Sequence, residues 1–321
     1  MKSISAITDF YYKRLYPSLK VLEQERKRVK SRIITTGLFY TMGALFLLAA
    51  LLNQNSINFN ILIFFGFGYI AGGAFIYKYL IKDYRSDFKE KIIEPLIHEI
   101  DKNLTYIPKM HIPQEHFNRS KLFTAKPDRV SGNDYVYGRI DGVKIEFSDF
   151  LAEKRHKDSK GRESWSRLFE GLFIVSEFNK NFKGNTIVLP DSAESIFGGY
   201  IGSWLQANNF SREQLIKMDN VAFEKEFVVY GTDQVEARYI LTPLLMQKLL
   251  NYKKRMNEKI FVSFTSKRIY LAIDFNKDLF EASIFHSLLN YKIAMEYVET
   301  LHLAIGIVEE LKLNQKLWSK L

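Results

Sequence analysis

The sequence predicts an α+β protein in two parts, a pair of membrane-crossing helices followed by a domain of antiparallel strands covered by helices. Three observations predict it. Residues 33–52 carry no charge, and at about 1.5 Å of rise each, these 20 residues match a hydrocarbon core about 30 Å thick. Residues 61–77 are a second uncharged run, extended to Ile81 past Lys78, whose ammonium can reach the interface on its own stem. Beyond about residue 108 the apolar pattern changes from helical spacing to alternation, with tight-turn residues between the alternating runs.

Bulk composition bounds the function. At 321 residues there is room for the hairpin and one further domain, although the mean hydropathy of −0.15 hides so local a membrane segment. The chain has no cysteine, which excludes disulfides, thiol nucleophiles and cysteine-ligated metal. The net charge of +10 is uneven: residues 1–32 hold nine basic residues against three acidic ones, a net +6, leaving +4 for the other 289. Arg26, Lys27, Arg28, Lys30 and Arg32 crowd against the first apolar run, and Lys78, Lys82 and Arg85 follow the second. The turn at 53–60 has no charge, so the positive-inside rule places both ends of the hairpin in the cytoplasm. A basic cluster beside a span orients the protein and meets anionic lipid, so membrane lipid rather than nucleic acid is its expected partner. A cleaved signal peptide would need an apolar stretch of only about 7–15 residues behind a short leader. Here a 20-residue run follows a 32-residue arm and precedes a second run, which argues against one.

The predicted organisation is an amphipathic arm at 1–32, a transmembrane hairpin at 33–81, a juxtamembrane helix at 82–107 and a cytoplasmic α+β domain at 108–321. In the arm, Leu15, Leu19, Leu22, Val29 and Ile33 lie on one helical stripe interrupted by Arg26. Ile93, Ile97, Ile100 and Leu104 form a second stripe, so the two helices can pair as a stalk or pack separately on the domain. Pro95 must bend or restart the second helix. With two prolines, residues 107–113 are expected as a linker.

Within the domain, residues 135–147 read as a hairpin turning at Asp141 and Gly142, with Val143, Ile145 and Phe147 on one face. The charged stretch 154–167 reads as an exposed hairpin loop around Lys160 and Gly161. Residues 171–175, 186–189 and 223–230 read as strands. Asp233 and Glu236 have capping-box spacing, and Thr242 with Pro243 starts another helix, to about Met256. Residues 260–264 and 268–275 form a second hairpin. A long helix over about 287–317 closes the chain, covering the sheet or reaching a partner subunit or the stalk.

Several chemistries have a candidate and a plainer alternative. His111 and His116 lie in the proline-rich stretch, which excludes a helical zinc face, and no metal site or cofactor is expected. The cluster Asp233, Glu236 and Arg238 can serve an active site or merely cap a helix, and Asp274, Asp278 and Glu281 can bind a hard cation or lie at strand ends. Neither a Gly-x-Ser-x-Gly elbow nor a phosphate loop with its lysine occurs. Phe197, Tyr200, Ile201, Trp204 and Leu205 share one helical face that can pack on the sheet, lie in the lipid interface or dock a partner.

Four stretches, FEGLF at 169–173, FKGNT at 182–186, FEKEFVVY at 223–230 and DQVEARYILTP at 233–243, resemble an uncharacterised family of bacterial membrane proteins. That family is a domain of unknown function with two N-terminal transmembrane helices, and its members often lie near LemA-like genes. The resemblance runs from the hairpin to about residue 280. It implies a bacterial inner-membrane protein with a cytoplasmic domain, and it assigns no activity. The expected function is therefore a membrane-anchored binding or scaffold module that meets lipid and a protein partner, or itself through the stalk or last helix. A membrane-surface hydrolase acting on lipid or envelope precursors and an accessory subunit of a transport assembly are the alternatives. Against the last, neither uncharged run holds an ionisable side chain that would mark an ion path.

Overall fold

The computed structural model describes residues 9–54, 58–123, 125–140, 142–177, 182–191, 214–275, 280–289 and 306. The fold is α+β, divided into two compact units. The first comprises Met1–Ile100 with Glu281–Glu296, and the second Asp101–Phe280 with Tyr297–Leu321.

The first unit is built on two helices of 42 residues each, α1 (Tyr11–Leu52) and α2 (Phe59–Ile100), both long and apolar enough to cross a membrane. Helix α1 opens with a π-turn at Tyr11–Leu15, ahead of Pro17. Gly43, Gly66 and Gly73 are buried where the helices meet. A Cβ on Gly43 would lie 2.7 Å from Ile70 Cγ1 and 2.9 Å from the Gly66 carbonyl oxygen, so the missing side chains allow the close approach. Beside them Phe46 stacks on Tyr69 with ring centroids 5.5 Å apart. Ile34, Leu38, Leu45, Leu48, Phe64, Phe67 and Phe75 point outward and are exposed.

Beyond the apolar stretches the helices keep a buried seam of Leu15, Leu19 and Leu22 on α1 and Ile81, Tyr84, Phe88, Ile92, Ile93 and Leu96 on α2. Pro95 neither stops nor restarts α2. A π-turn at Lys89–Ile93 sits just before it, with Glu94 N–H donating to the Lys89 carbonyl, and the wider turn accommodates a residue that has no amide to donate. The helix ends at Ile100, short of the expected 107, and Leu104 belongs to a strand. Its fit to the helical stripe ends where Asp101 and Asn103 turn the chain, the Asn103 amide donating to the Asp101 carboxylate at 2.8 Å.

The second unit is a nine-stranded, wholly antiparallel sheet: β1 (Leu104–Ile107), β2 (Arg129–Ile140), β3 (Val143–Lys157), β4 (Glu163–Glu177), β5 (Asn185–Pro190), β6 (Gln214–Leu215), β7 (Phe227–Gly231), β8 (Lys259–Thr265) and β9 (Arg268–Asp274). The order across it is β1-β2-β3-β4-β9-β8-β5-β7-β6. Its helices are α3 (Gln114–Ser120), α4 (Val221–Glu224), α5 (Gln234–Ile240) and α6 (Pro243–Met256). The β2–β3 and β8–β9 hairpins form as the alternation requires, and Val143, Ile145 and Phe147 are buried together.

The sheet is buried on both faces. On one, Phe150, Phe169, Phe173, Tyr270 and Phe261 form a core closed by Ile112, Phe117 and Leu122. Ile112 is fully buried in that core, so the segment expected as a linker is part of the core instead, and beyond it Phe117 stacks on Phe150 at 5.3 Å and on Phe123 at 4.7 Å. Proline excludes helix there but not packing: the Pro108 and Met110 carbonyls accept from Asp134 and Tyr135 of β2.

Three further readings are corrected. The charged stretch 154–167 is not a loop but the far end of a long hairpin, with Lys154 opposite Ser166 and the turn confined to 158–162. Alternating charges suit a ribbon that is exposed on both faces. Residues 223–226 are a helical turn ahead of β7, not its beginning. Glu236 does not complete a capping box. Asp233 caps α5 through Val235 and Glu236, while the Glu236 carboxylate takes the amides of Lys183 and Gly184, both at 2.9 Å. Thr242 caps α6 as expected, accepting from Leu245. Of the expected last helix, residues 290–305 and 307–317 lie outside the described residues.

Candidate functional site

The described polar groups converge most closely at the outer end of the β2–β3 hairpin. Alternation places Tyr135, Tyr137 and Arg139 of β2 on the same face as Lys144 and Glu146 of β3, with Tyr137 opposite Glu146 and Arg139 opposite Lys144. Glu146 is buried. Its carboxylate accepts from the Tyr135 hydroxyl at 2.8 Å and forms an ion pair with Lys144. Burial pushes the Glu146 pKa up, but hydrogen bonds from Lys144 and Tyr135 outweigh it and hold the carboxyl below its ordinary value. Burial, then the neighbouring carboxylate, raises the Tyr135 phenol far above its own. Near neutral pH, Glu146 is thus a fixed anion and Tyr135 a fixed donor.

His116, on α3, extends the group. Its Nδ1 lies 3.3 Å from an Arg268 guanidinium nitrogen, and burial together with that cation depresses its pKa. A neutral imidazole accepting from Arg268 satisfies both facts. Arg268 also lies 3.8 Å from Glu177.

Next to this group an open cleft of about 640 Å³ is lined by Asp101, Asn103, Tyr137, Arg139 and Lys144. Gly138 makes room for its wall, since a Cβ there would lie 2.3 Å from the Asn103 carbonyl oxygen. Tyr135 and Tyr137 stack at 5.4 Å, and Tyr137 keeps an exposed ring face. The cleft therefore offers two cations, an aromatic plate and the acceptors Asp101 and Asn103. These groups can hold a small polar ligand by charge and stacking. A smaller cavity of about 220 Å³ lies by Gly132, Asp149, Phe150 and Glu170. There the buried Asp149 accepts from the Phe280 amide at 3.3 Å.

The residues singled out from sequence are placed elsewhere. Phe197, Tyr200, Ile201, Trp204 and Leu205 lie outside the described residues, as does Asp278. Lys27, Arg28 and Arg32 are exposed and Lys30 half-buried. Arg26 is not: it turns inward, bonding Glu23 through two nitrogens at 2.7 and 2.8 Å and the Ile284 carbonyl at 2.5 Å. It fills the gap in the leucine stripe because that stripe is covered by residues 284–288. Arg238 reaches the Lys217 carbonyl rather than joining Asp233 and Glu236, and Glu281 pairs with Arg85 and Lys89. Among the described residues no group of three or more His, Asp or Glu could hold a metal ion. The Glu146 group was missed because Lys144 and Glu146 alternate with Val143, Ile145 and Phe147, as on a solvated face. Only the tertiary structure lays the segment carrying Ile112 and His116 over the face that Glu146 shares with Ser148 and Phe150.

Residues 167–313 match a protein family described as "Protein of unknown function (DUF3137)". That stretch carries a domain of unknown function. It includes all four of the sequence stretches in full, in agreement with the resemblance. No curated protein matches the chain. Among solved structures it is similar to the crystal structure of the mycobacterial trehalose monomycolate transport factor A, TtfA, at 8% identity over 62% of this chain and 88% of that one. The TM-score is 0.33, and a likeness of that degree carries no argument about function.

Proposed function

We propose that the chain is a membrane-anchored binding module, held in a bacterial inner membrane by α1 and α2 with both termini and the sheet domain in the cytoplasm. The observation that carries this reading is the outward apolar face of the two helices. Their most hydrophobic windows are only 17% and 11% buried, whereas the core helix of a water-soluble protein is mostly covered. The positive charges flanking both spans supply the orientation. The cleft beside Glu146 supports binding, because Arg139, Lys144, Tyr137, Asp101 and Asn103 offer it two cations, an aromatic ring and two polar acceptors.

The cysteine-free chain makes the test clean. Single cysteines replacing Lys2 or Lys320 should resist a membrane-impermeant maleimide in intact cells and react once the inner membrane is opened. Labelling from outside, or release of the chain by alkaline carbonate, would overturn the reading. For the cleft, a photoreactive phenylalanine analogue at Tyr137 should cross-link one defined species in cells. Only diffuse products at that position would count against a binding role.

A further inference from the structure

The end of the β3–β4 hairpin is unlike the rest of the sheet. Strand β2 leaves β3 at Glu153, and β9 reaches β4 only as far as Gly171. Residues 154–157 and 163–166 are therefore paired with each other alone, in a ribbon reaching past its neighbours by about 3.4 Å per residue. From 154 to 167 the ribbon and its base hold six basic residues against two acidic ones, a net +4, the same as the excess over the whole chain after residue 32. Arg155 and Arg162 are partly neutralised by Glu163 and Asp158, and at the base Lys154 pairs with Asp128 and Arg167 with Glu170, while Lys157 and Lys160 are exposed at the tip with no ion pair among the described residues.

Trp165 is the ribbon's large apolar side chain. It lies opposite Arg155, beneath the Arg129 guanidinium at 4.2 Å, and is 41% exposed. A tryptophan held flat by arginine, with lysines beyond it, has the composition of a bilayer-interface anchor, an amphipathic ring at headgroup depth among phosphate-binding cations. A short solvated hairpin gains little from such a ring otherwise.

We propose that this ribbon docks on an anionic lipid surface, its lysines and arginines meeting headgroup phosphates and Trp165 entering the interfacial layer. The proposal rests on the reading that the chain is anchored in a bilayer. Lipid is favoured over nucleic acid because that anchor supplies the phosphate-rich surface.

The test uses the full chain in nanodiscs of phosphatidylcholine alone or mixed with phosphatidylglycerol, with a nitroxide on Ser159→Cys at the ribbon tip. Anionic lipid should lower the label's accessibility to an aqueous relaxation agent several-fold, and high salt should restore it. Lys157→Glu with Lys160→Glu should abolish the protection, and a label on Ala222→Cys should not respond. Equal accessibility in the two lipids overturns the proposal. So does protection by single-stranded RNA on neutral discs without any effect of phosphatidylglycerol. Co-elution of chain and disc reports the anchor separately. If the chain stays out of the discs, mixing it with phosphatidylglycerol vesicles still reads the ribbon on its own, protection supporting the proposal and its absence overturning it.

Discussion

Replacing Arg26 with methionine should loosen residues 284–288 from α1. In the native protein the Glu23 and Arg26 side chains are each only 7% exposed, joined by two short bonds, with the Leu288 amide donating to Glu23 at 3.0 Å and Arg26 donating to Ile284. Arg26→Met leaves Glu23 buried with its counter-ion gone and the Ile284 carbonyl without this donor. Breaking one side of such a pair costs about 3–5 kcal/mol, which at about 1.4 kcal/mol per decade is a factor of roughly 10²–10³ or more in the local opening equilibrium. The double change Glu23→Leu with Arg26→Met removes both charges and should recover most of the loss. Amide hydrogen exchange on the full chain in detergent reads this directly. The His286 amide, held by the Ser283 hydroxyl within this segment, should exchange faster by that factor in the single variant and by much less in the double one, in which the Leu288 amide has lost its own acceptor and is no reporter. A single variant whose exchange matches the native protein would refute the reasoning, and Arg26 would then be the lipid contact its neighbours suggest.

Three other outcomes follow from the same structure. Gly43→Leu should separate the helices, so a Phe46→Cys, Tyr69→Cys pair that cross-links in the parent should do so far less in the variant, since the added side chain meets Ile70 and the Gly66 carbonyl. Glu236→Ala should destabilise the domain by about 1–3 kcal/mol through the two abandoned amides, against about 1 kcal/mol for the cap variant Thr242→Ala, both measured by urea unfolding. Acid should weaken the domain in two stages. His116 has a depressed pKa, so its contribution is complete above the ordinary value near 6.5 and declines as pH falls below it. Glu146, also depressed, contributes fully above about 4.5 and is lost on further acidification. His116→Phe should remove the first stage and Glu146→Gln the second in unfolding midpoints followed against pH, and unchanged profiles would disprove the assignment.

Local chemistry made much of this protein legible. An uncharged run of helical length needs no partner to be recognised, and Thr242 with Pro243 fixes a helix start by its own hydrogen bond and fixed φ. Alternation likewise announces β2–β3 and β8–β9. What distant packing decides was not legible. Residues 107–113 look like a linker by their prolines, yet Ile112 is buried in the core on one face of the sheet. Glu236 has the spacing of a cap but finds a better pair of amides some 50 residues away. Arg26 and Glu146 show the same cause most clearly. Each sits in a pattern that reads as solvated, and each is buried because a segment remote in sequence covers it. Sequence therefore determined which stretches are apolar, which turn and where helices begin. Only the tertiary structure decided which charges lie inside, because burial of a charge depends on what the rest of the chain lays over it.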